Sequence, residues 1–469
     1  MEYFDSDDFK ELLATYEEGV QHGELPFMDA DDLTDIADYY LFTGQPEAAG
    51  EATEHALNLY PDATAPNLFV ARQALLNEEF DTAQQYLDRI EDSDDPDCQY
   101  LQAELLVAQD QVEEADRYLH DILDNIDPDD YQDFVLDAAN IFLDYGLSDK
   151  AYEWMMRSKG DDSDDFKELM GRALFGLGKY KDSERIFNEL IDRHPYSKNY
   201  WNALANAQMM NRDYSNAVTS SEYAIAIDPK DPEGLICKAN GLYQMENYEE
   251  ALTYFQRYSE LVPDDEFAQL YQGACYYNMN QPQNTVKVLE KTIRSCPPDS
   301  PYLAQIYEEL AFSYSALHLP DKAVRCIEKT ESLDCDHAEL AVVQGHILLE
   351  NGRAQHSDKY FRKALRLAKD TPHIMVRIIV SLYDNGYVEA SHDIFEKLFS
   401  IAGDRLKEGY SYMALCCREL GRNDDFLHYL KKAVEVNPAE AASVLRHIFP
   451  PEVEVNDYYN YMADRISNS

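Results

Sequence analysis

Three aspartate-rich runs offer carboxylate oxygens of the kind that bind calcium. They are Asp92-Ser93-Asp94-Asp95-Pro96-Asp97, Asp127-Pro128-Asp129-Asp130 and Asp161-Asp162-Ser163-Asp164-Asp165. A twelve-residue calcium loop also needs a central glycine and a final bidentate glutamate, and none of the three runs has both at that spacing. Aspartate and serine are equally favoured in turns and at helix starts, where their side chains accept hydrogen bonds from free backbone amides. We therefore expect these runs to cap helices rather than to bind metal.

Other residue patterns that carry chemistry are missing from the sequence. Cys335 and His337 are two potential zinc ligands, but no second pair lies near them. The chain has no His-Glu-x-x-His pattern, no phosphate-binding glycine loop and no Gly-x-Ser-x-Gly elbow. The sequence thus predicts no enzymatic activity, no metal site and no cofactor.

The helices that would position any functional residue are indicated by a repeat. Pairs of small residues twelve positions apart, such as Ala205 with Ala217 and Ala239 with Ala251, recur about every 34 residues. Small side chains at such pairs let two helices cross closely, and hydrophobic residues surround each pair. A period of this length is typical of stacked helical hairpins, which build an extended binding surface.

The repeat divides most of the chain into twelve units. They start near residues 30, 64, 96, 132, 164, 198, 232, 266, 304, 338, 371 and 407. In the eleventh unit the expected pair is Ile378 with Ala390, and in the twelfth Phe426 replaces the second small residue.

Prolines predict where the second helix of many units ends. They are Pro61, Pro195, Pro229, Pro263, Pro297 and Pro438. Proline lacks the backbone donor that would continue the helix. No segment has the alternation of a β-strand bounded by hairpin turns, so the sequence predicts an all-α protein.

The pattern resembles the tetratricopeptide repeat (TPR) family, whose units carry small residues at positions 8 and 20. The resemblance covers residues 30–440. It implies a right-handed superhelical solenoid of about twelve helix-turn-helix repeats, with an N-terminal capping helix in 1–29 and C-terminal capping helices in 441–469. It also implies a non-enzymatic scaffold for protein–protein interactions, similar to multi-repeat bacterial proteins of unassigned activity.

The resemblance further implies a peptide-binding groove. In TPR proteins, positions 2, 5, 9, 12 and 13 of each first helix line the concave side and bind extended or helical peptides. The predicted groove residues are Asn202, Asn206, Met209, Met210, Asn240, Tyr243, Gln244, Phe267, Leu270, Tyr277, Asn278 and Phe312. Their amides can bond a peptide backbone, and their pliable apolar side chains can accommodate its side chains.

A core role is the alternative for part of this stripe. A tight superhelix buries some inner side chains, so Met209, Leu270 and Phe312 could pack between helices instead of facing a ligand. Both interpretations stay open at this stage.

One known TPR binding mode is disfavoured by the residues present. A carboxylate clamp for a chaperone C-terminus needs lysine and arginine at set positions of three successive repeats. Asn202 and Asn206 match its asparagines, but Cys237, Phe267 and Tyr271 occupy other clamp positions, and every cationic contact is missing.

The charge distribution suggests a second kind of binding. The net charge is −50, and residues 1–165 hold 45 acidic and 7 basic side chains, a net charge of −38. Such acidity disfavours a nucleic-acid partner. It leaves two interpretations open: an acidic, chaperone-like or decoy binder of basic proteins acting through residues 1–165, or charge that serves solubility and helix capping.

The remaining features concern location. No run of about 18 apolar residues predicts a membrane span, and the N-terminus lacks the basic start and apolar core of a secretory signal. Eight scattered cysteines suit a reducing compartment. The sequence therefore predicts a cytoplasmic protein with a protein or peptide partner and no membrane partner.

Overall fold

The computed structural model describes residues 3–4, 6–23, 25–91, 94–158, 160–330, 333, 336–450 and 452–467. They form two compact units, Met1–Pro229 and Lys230–Ser469. The described residues contain 27 α-helices and no β-strand, which confirms the all-α prediction. None of these helices combines the length and apolar character needed to cross a bilayer.

The first unit contains thirteen of the helices. They are Asp7–His22 (α1), Ala30–Phe42 (α2), Pro46–Leu59 (α3), Thr64–Leu76 (α4), Phe80–Leu87 (α5), Pro96–Ala108 (α6), Val112–Leu123 (α7), Tyr131–Asp144 (α8), Ser148–Met155 (α9), Asp164–Gly176 (α10), Tyr180–Arg193 (α11), Lys198–Met210 (α12) and Tyr214–Ile227 (α13).

The second unit contains the other fourteen. They are Pro232–Gln244 (α14), Tyr248–Leu261 (α15), Glu266–Asn278 (α16), Pro282–Ser295 (α17), Leu303–Ala316 (α18), Pro320–Lys329 (α19), His337–Glu350 (α20), Ala354–Leu367 (α21), Thr371–Asp384 (α22), Val388–Ala402 (α23), Tyr410–Glu419 (α24), Asn423–Val436 (α25), Pro438–Leu445 (α26) and Tyr458–Ser467 (α27). From α2 to α25, the helices pack in twelve consecutive antiparallel pairs.

Every hairpin turns through one residue in the left-handed backbone conformation. These residues are Gly44, Glu78, Asp110, Gly146, Gly178, Arg212, Glu246, Asn280, His318, Gly352, Gly386 and Gly421. In the turn after α14, the amide of Glu246 donates to the carbonyl of Tyr243 at 3.0 Å, and the amide of Asn247 donates to that of Leu242 at 2.9 Å. These bonds satisfy carbonyls that the end of the helix would otherwise leave open.

The small residues lie where the two helices of a hairpin cross. A Cβ added to Gly345 in α20 would lie 2.3 Å from Phe361 Cε1 in α21, and one added to Gly273 in α16 would lie 2.8 Å from Leu289 in α17. Some second positions add a hydrogen bond: Thr285 Oγ1 donates to the Gly273 carbonyl at 3.0 Å. The crossing therefore requires small first residues, as the repeat pattern predicts.

The expected register of the eleventh hairpin is wrong by one residue. Ala390 is exposed, whereas Ile379 and Ser391 are fully buried. Ser391 Oγ donates to the Ile379 carbonyl at 3.3 Å, which is the same bond between second and first positions. The close pair is thus Ile379 with Ser391, one residue after the expected pair of Ile378 with Ala390.

Prolines and capping side chains set the helix ends as predicted. The helices α3, α11, α13, α15, α17 and α25 each end two residues before the expected proline. Asp95 Oδ1 accepts from the amides of Asp97 and Cys98, at 2.9 and 3.4 Å. Ser163 Oγ accepts from the amide of Phe166 at 3.2 Å. Free amides at helix starts explain the aspartate and serine found there.

The C-terminal helices pack on the last hairpin. Tyr458 in α27 is fully buried, and its ring stacks on Phe449 with centroids 3.7 Å apart. Both lie in one apolar cluster with Phe426 and Leu430 of α25. That residues 1–29 and 441–469 cap the repeat array, and that the array forms a right-handed superhelix, stay predictions.

Candidate functional site

The first helices of the second unit carry a cluster of aromatic and amide side chains. Asn278 Nδ2 in α16 donates to the hydroxyl of Tyr243 in α14 at 3.3 Å. The Tyr243 ring also meets that of Tyr271 edge-on, with centroids 5.0 Å apart. Asn278 is exposed, while Tyr243 and Tyr271 are half-buried. These contacts join two successive first helices through side chains that remain partly accessible.

The aromatic cluster continues along the next helices. The Phe267 ring lies 4.6 Å from that of Tyr271 and 5.7 Å from that of Tyr302, measured between centroids. Phe312 of α18 lies 6.2 Å from the His346 ring of α20, again edge-on. Such edge-on packing is favourable for aromatic rings. The second unit thus presents aromatic side chains from α14 to α20.

A carboxylate lies within this cluster. Glu309 is on α18, three residues before Phe312 and therefore on the same face of the helix. Burial, with help from the neighbouring Glu308 charge, raises the pKa of Glu309 to about 7. Burial and then the charge of Glu309 raise the pKa of Tyr243 to about 12, and the same two causes raise the pKa of Tyr277. The charge of Glu309 therefore acts on both tyrosines.

We define the tyrosine–glutamate site as Tyr243, Tyr277, Asn278, Glu309 and Phe312. It draws side chains from α14, α16 and α18. It can offer ring faces, one amide and one carboxylate to a ligand, which suits binding rather than bond-making chemistry.

The twelve predicted groove residues are divided between the two units. Asn202, Asn206, Met209 and Met210 belong to the first unit, and the other eight belong to the second. In α12, Asn202 is buried, Asn206 and Met209 are half-buried, and Met210 is 53% exposed. A buried Asn202 side chain presents little surface to a ligand.

In the second unit, most predicted residues are at least partly accessible. Asn240, Phe267, Tyr277 and Phe312 are half-buried, and Gln244 is exposed. Leu270 differs, because it is 6% exposed and belongs to one apolar cluster with Leu289 and Ile306. Its side chain serves the core, which is the alternative that the sequence left open for it.

Sequence reasoning missed Tyr271, Tyr302, Glu309 and His346. Glu309 is at position 6 of its unit, outside the stripe implied by the TPR pattern, so the stripe could not select it. The adjacent pair Glu308-Glu309 in a helix otherwise rich in apolar residues was the available signal.

The first unit carries a different kind of surface, lined by carboxylates. A cavity of about 580 Å³ is bordered by Asp31, Asp35, Asp38, Asp97 and Arg72. Burial and the Asp35 charge raise the pKa of Asp38, although Arg72 opposes the shift. Carboxylates outnumber cations here, so the cavity favours a positively charged ligand.

The aspartate runs form helix caps and turns where the structure describes them: Asp95 caps α6 and Ser163 caps α10, whereas Asp130 before α8 makes no capping bond with its side chain. Asp161 Oδ1 accepts from the Ser163 amide at 2.8 Å, and Asp127 Oδ1 accepts from the Asp129 amide at 3.0 Å. Arg193 pairs with Asp162 at 2.5 Å and with Asp164 at 2.9 Å. Asp92 and Ser93 of the first aspartate run, which we expect to cap a helix, and Cys335, for which we expect no zinc site, lie outside the described residues.

One other group has metal-ligand geometry. Potential ligand atoms of His392, Asp393 and Glu396 in α23 lie within 4.8 Å of one another. His392 is buried, and its Nε2 is 2.9 Å from the guanidinium Nη1 of Arg422. A fixed positive charge at that nitrogen disfavours a bound cation there.

The fold and this surface define a class of protein: a helical-hairpin repeat protein whose first helices carry an accessible face. Tetratricopeptide repeat models match residues 169–232, 267–298 and 338–371. These three matches support a multi-repeat tetratricopeptide protein. Proteins of this class bind protein partners and typically act as non-catalytic scaffolds.

Several solved structures resemble parts of the chain at low identity. MamA from Desulfovibrio magneticus RS-1 is 19% identical, with a TM-score of 0.33, over 36% of this chain and 94% of that one. A tetratricopeptide repeat protein from Parabacteroides merdae is 18% identical, with a TM-score of 0.42, over 53% and 97%. The Cut9-Hcn1 structure of the APC/C is 13% identical, with a TM-score of 0.37, over 94% of both chains. No curated protein matches the chain.

Proposed function

We propose that the second unit binds a peptide segment of a partner protein on the face formed by α14, α16, α18 and α20. The observation that carries the proposal is the cluster of partly accessible aromatic and amide side chains joined by the Asn278–Tyr243 hydrogen bond. Asn240, Gln244 and Phe267 extend the tyrosine–glutamate site along this face.

The chemistry of these side chains supports peptide binding. Accessible aromatic residues are enriched at protein interfaces, where they contribute large contact areas. The amides of Asn240, Gln244 and Asn278 can donate to and accept from a peptide main chain. In the first unit, Asn206, Met209 and Met210 stay proposed peptide-binding residues. The proposal includes no catalysis, and the cytoplasmic location and bacterial origin stay predictions.

Site-specific cross-linking tests which face binds. A photoreactive benzoylphenylalanine at Gln244, exposed beside Tyr243, should cross-link the partner in cells that contain the native protein. The matched control is the same residue at Glu249, which is exposed at the start of the second helix α15. Cross-linking from position 249 but not from 244 would place the partner on the second helices and overturn the proposal.

A second function is supported by the carboxylate-lined cavity of the first unit. There a basic segment of a partner would neutralise Asp31, Asp35 and Asp38. Attraction between exposed charges of this kind is strongly screened by salt, whereas aromatic packing and partly buried ion pairs are screened much less. Binding that weakens steeply as salt rises, and that Asp35→Asn with Asp38→Asn reduces in the full chain, would favour this function over the aromatic face. Salt-insensitive binding would exclude it.

A further inference from the structure

One oxygen of the half-buried Glu309 carboxylate lacks the hydrogen-bond donor that a buried oxygen normally has. Its Oε1 is closed to solvent, and no donor among the described residues reaches it. Buried carboxylates are usually paired with a cation or hydrogen-bonded, because removing the charge from water is costly.

The neighbouring cations are engaged elsewhere. Arg377 of α22 donates from Nε to Glu339 Oε2 at 3.2 Å, and its charge lowers the pKa of Glu308 against the larger effect of burial. In the part of the chain that the structure describes, no ion pair involves Glu309. A nearby cation thus acts on the adjacent Glu308, whereas the pKa of Glu309 is affected by burial and by the Glu308 charge.

Aromatic residues lie on the helices next to that of Glu309, because α16 packs on α18 and Asn278 of α16 donates to the hydroxyl of Tyr243 in α14. Tyr243 of α14 and Tyr277 of α16 both respond to the charge of Glu309, and Phe312 follows on the same face of α18. A carboxylate beside electron-rich ring faces is complementary to an ammonium or guanidinium group, through ion pairing and cation–π attraction.

The same unit already binds one ammonium group on a tyrosine. Lys238 Nζ in α14 donates to the hydroxyl of Tyr254 in α15 at 2.7 Å and lies 4.1 Å from the ring centroid. Lys238 is 4% exposed, so its charge is held away from bulk solvent. Tyrosines of these hairpins can therefore accommodate a buried cation.

We propose that Glu309 binds a lysine or arginine side chain of the peptide that occupies the tyrosine–glutamate site. This inference rests on the proposed function of that site and specifies its ligand: a peptide with one basic anchor residue. The cation would supply the missing donor at Glu309 and pack against the rings of Tyr243 and Tyr277.

The test begins with selection from a random-dodecamer phage library on the immobilised full-length protein. Binding of the selected peptides is then measured by fluorescence anisotropy for the wild type, Glu309→Gln and the matched control Glu308→Gln. We expect a basic residue at a recurring peptide position and a loss of about 30-fold in affinity with Glu309→Gln, as for truncation of one partner of a desolvated charge pair. Glu308→Gln should change affinity less than about threefold, as for a charge at the rim of a site.

A change in the peptide tests the same contact without altering the fold. Replacing the recurring basic residue of the peptide by norleucine should lower its affinity for the wild type as much as Glu309→Gln does. The same replacement should not lower the affinity for Glu309→Gln any further, because the two groups act as a pair. An unchanged affinity in either single substitution would overturn the inference.

The outcomes separate this inference from the function on which it rests. Peptides that lose affinity with Tyr243→Ala but carry no recurring basic residue would leave the proposed site intact and remove the role of Glu309. If Tyr243→Ala and Asn278→Ala have no effect, or if the library yields no binding peptide, both proposals fail.

Discussion

The hydroxyl of Thr285 in α17 donates to the carbonyl of Gly273 in α16 at 3.0 Å, twelve residues earlier in the chain. Ser183 makes the same bond to Gly171 at 2.9 Å, and Ser391 makes it to Ile379 at 3.3 Å. Where the second position of a repeat carries a hydroxyl, a hydrogen bond can therefore join the two helices of the hairpin at the crossing where they pack.

Removing this hydroxyl should destabilise the hairpin. Thr285→Val keeps the shape of a fully buried side chain but loses one hydrogen bond, so the free energy of unfolding should fall by about 1 kcal/mol. The control is Thr253→Val, at an exposed position of α15, which should change it by less than about 0.5 kcal/mol. Urea denaturation followed by circular dichroism measures both, and equal effects would contradict a role at the crossing.

The close approach at Gly345 predicts opposite effects for two glycine-to-alanine changes. Gly345→Ala places a Cβ 2.3 Å from Phe361 Cε1, so overpacking should cost about 1–3 kcal/mol. Gly50 is also helical, within α3, but among the described residues no atom lies within 4 Å of its added Cβ. Gly50→Ala should therefore stabilise by about 1 kcal/mol through helix propensity. Thermal melts should move in opposite directions, and a stable Gly345→Ala would refute the tight crossing.

The left-handed turn residues predict a stabilising substitution. Glu246 has a φ of 61°, a conformation that costs a residue with a Cβ about 1–2 kcal/mol but costs glycine little. Because glycine also loses more chain entropy on folding, Glu246→Gly should give a net gain of about 0.5–1 kcal/mol. The reverse change at the equivalent turn, Gly178→Ala, should destabilise by a similar amount. Denaturant midpoints of both variants test the assignment.

Burial of Glu309 predicts a pH-dependent gain for Glu309→Gln. The folded pKa of about 7 exceeds the ordinary value of 4.5, so ionisation favours the unfolded chain. The wild type carries no penalty below pH 4.5, loses stability between pH 4.5 and 7, and carries the full penalty above pH 7. The free energy of unfolding of Glu309→Gln should thus equal that of the wild type at low pH. At pH 8 it should exceed that of the wild type by at most about 3 kcal/mol.

The neighbouring charges define the control for that measurement. Glu308 on α18, Tyr243 on α14, Cys275 and Tyr277 on α16, and Glu350 on α20 are the titratable or charged groups that surround this region. The control Glu308→Gln removes the neighbouring charge that acts on Glu309. If the difference in free energy of unfolding between Glu309→Gln and the wild type does not grow with pH, the Glu309 carboxylate is not buried in solution.

His373 predicts a pH effect of the opposite sign. Its Nδ1 lies 2.7 Å from Glu408 Oε1, and its Nε2 lies 3.1 Å from Glu339 Oε1. Burial lowers the pKa of His373, but the hydrogen bond and charge of Glu408, aided by Glu339, outweigh it, so the net shift is upward from 6.5. The stabilisation should be complete below pH 6.5 and lost as pH rises through the folded pKa. His373→Gln should remove this dependence in pH-resolved melts.

Much of the local structure could be predicted because it depends on local rules. Proline cannot continue a helix, so Pro195 and Pro229 predicted where α11 and α13 end. Aspartates before helices predicted caps and turns: Asp95 caps α6, whereas Asp127 bonds the Asp129 amide in the turn before α8. The expected pair of the eleventh unit was wrong by one residue because Ile378 and Ile379 are both apolar. Only the packed structure shows that Ser391 donates to the carbonyl of Ile379.

The repeat period therefore predicted an all-α chain of helical hairpins with small residues at their crossings. Each hairpin has nearly the same length and must bury one face, so the same positions of each repeat need the same types of residue. The tertiary packing settled which side chains of a first helix remain accessible. Leu270 and Asn202 fit the predicted stripe yet are buried, while Glu309 lies outside that stripe yet its charge raises the pKa of Tyr243 and Tyr277. The accessibility of a side chain depends on how neighbouring hairpins pack, and the sequence of a single repeat does not determine that packing.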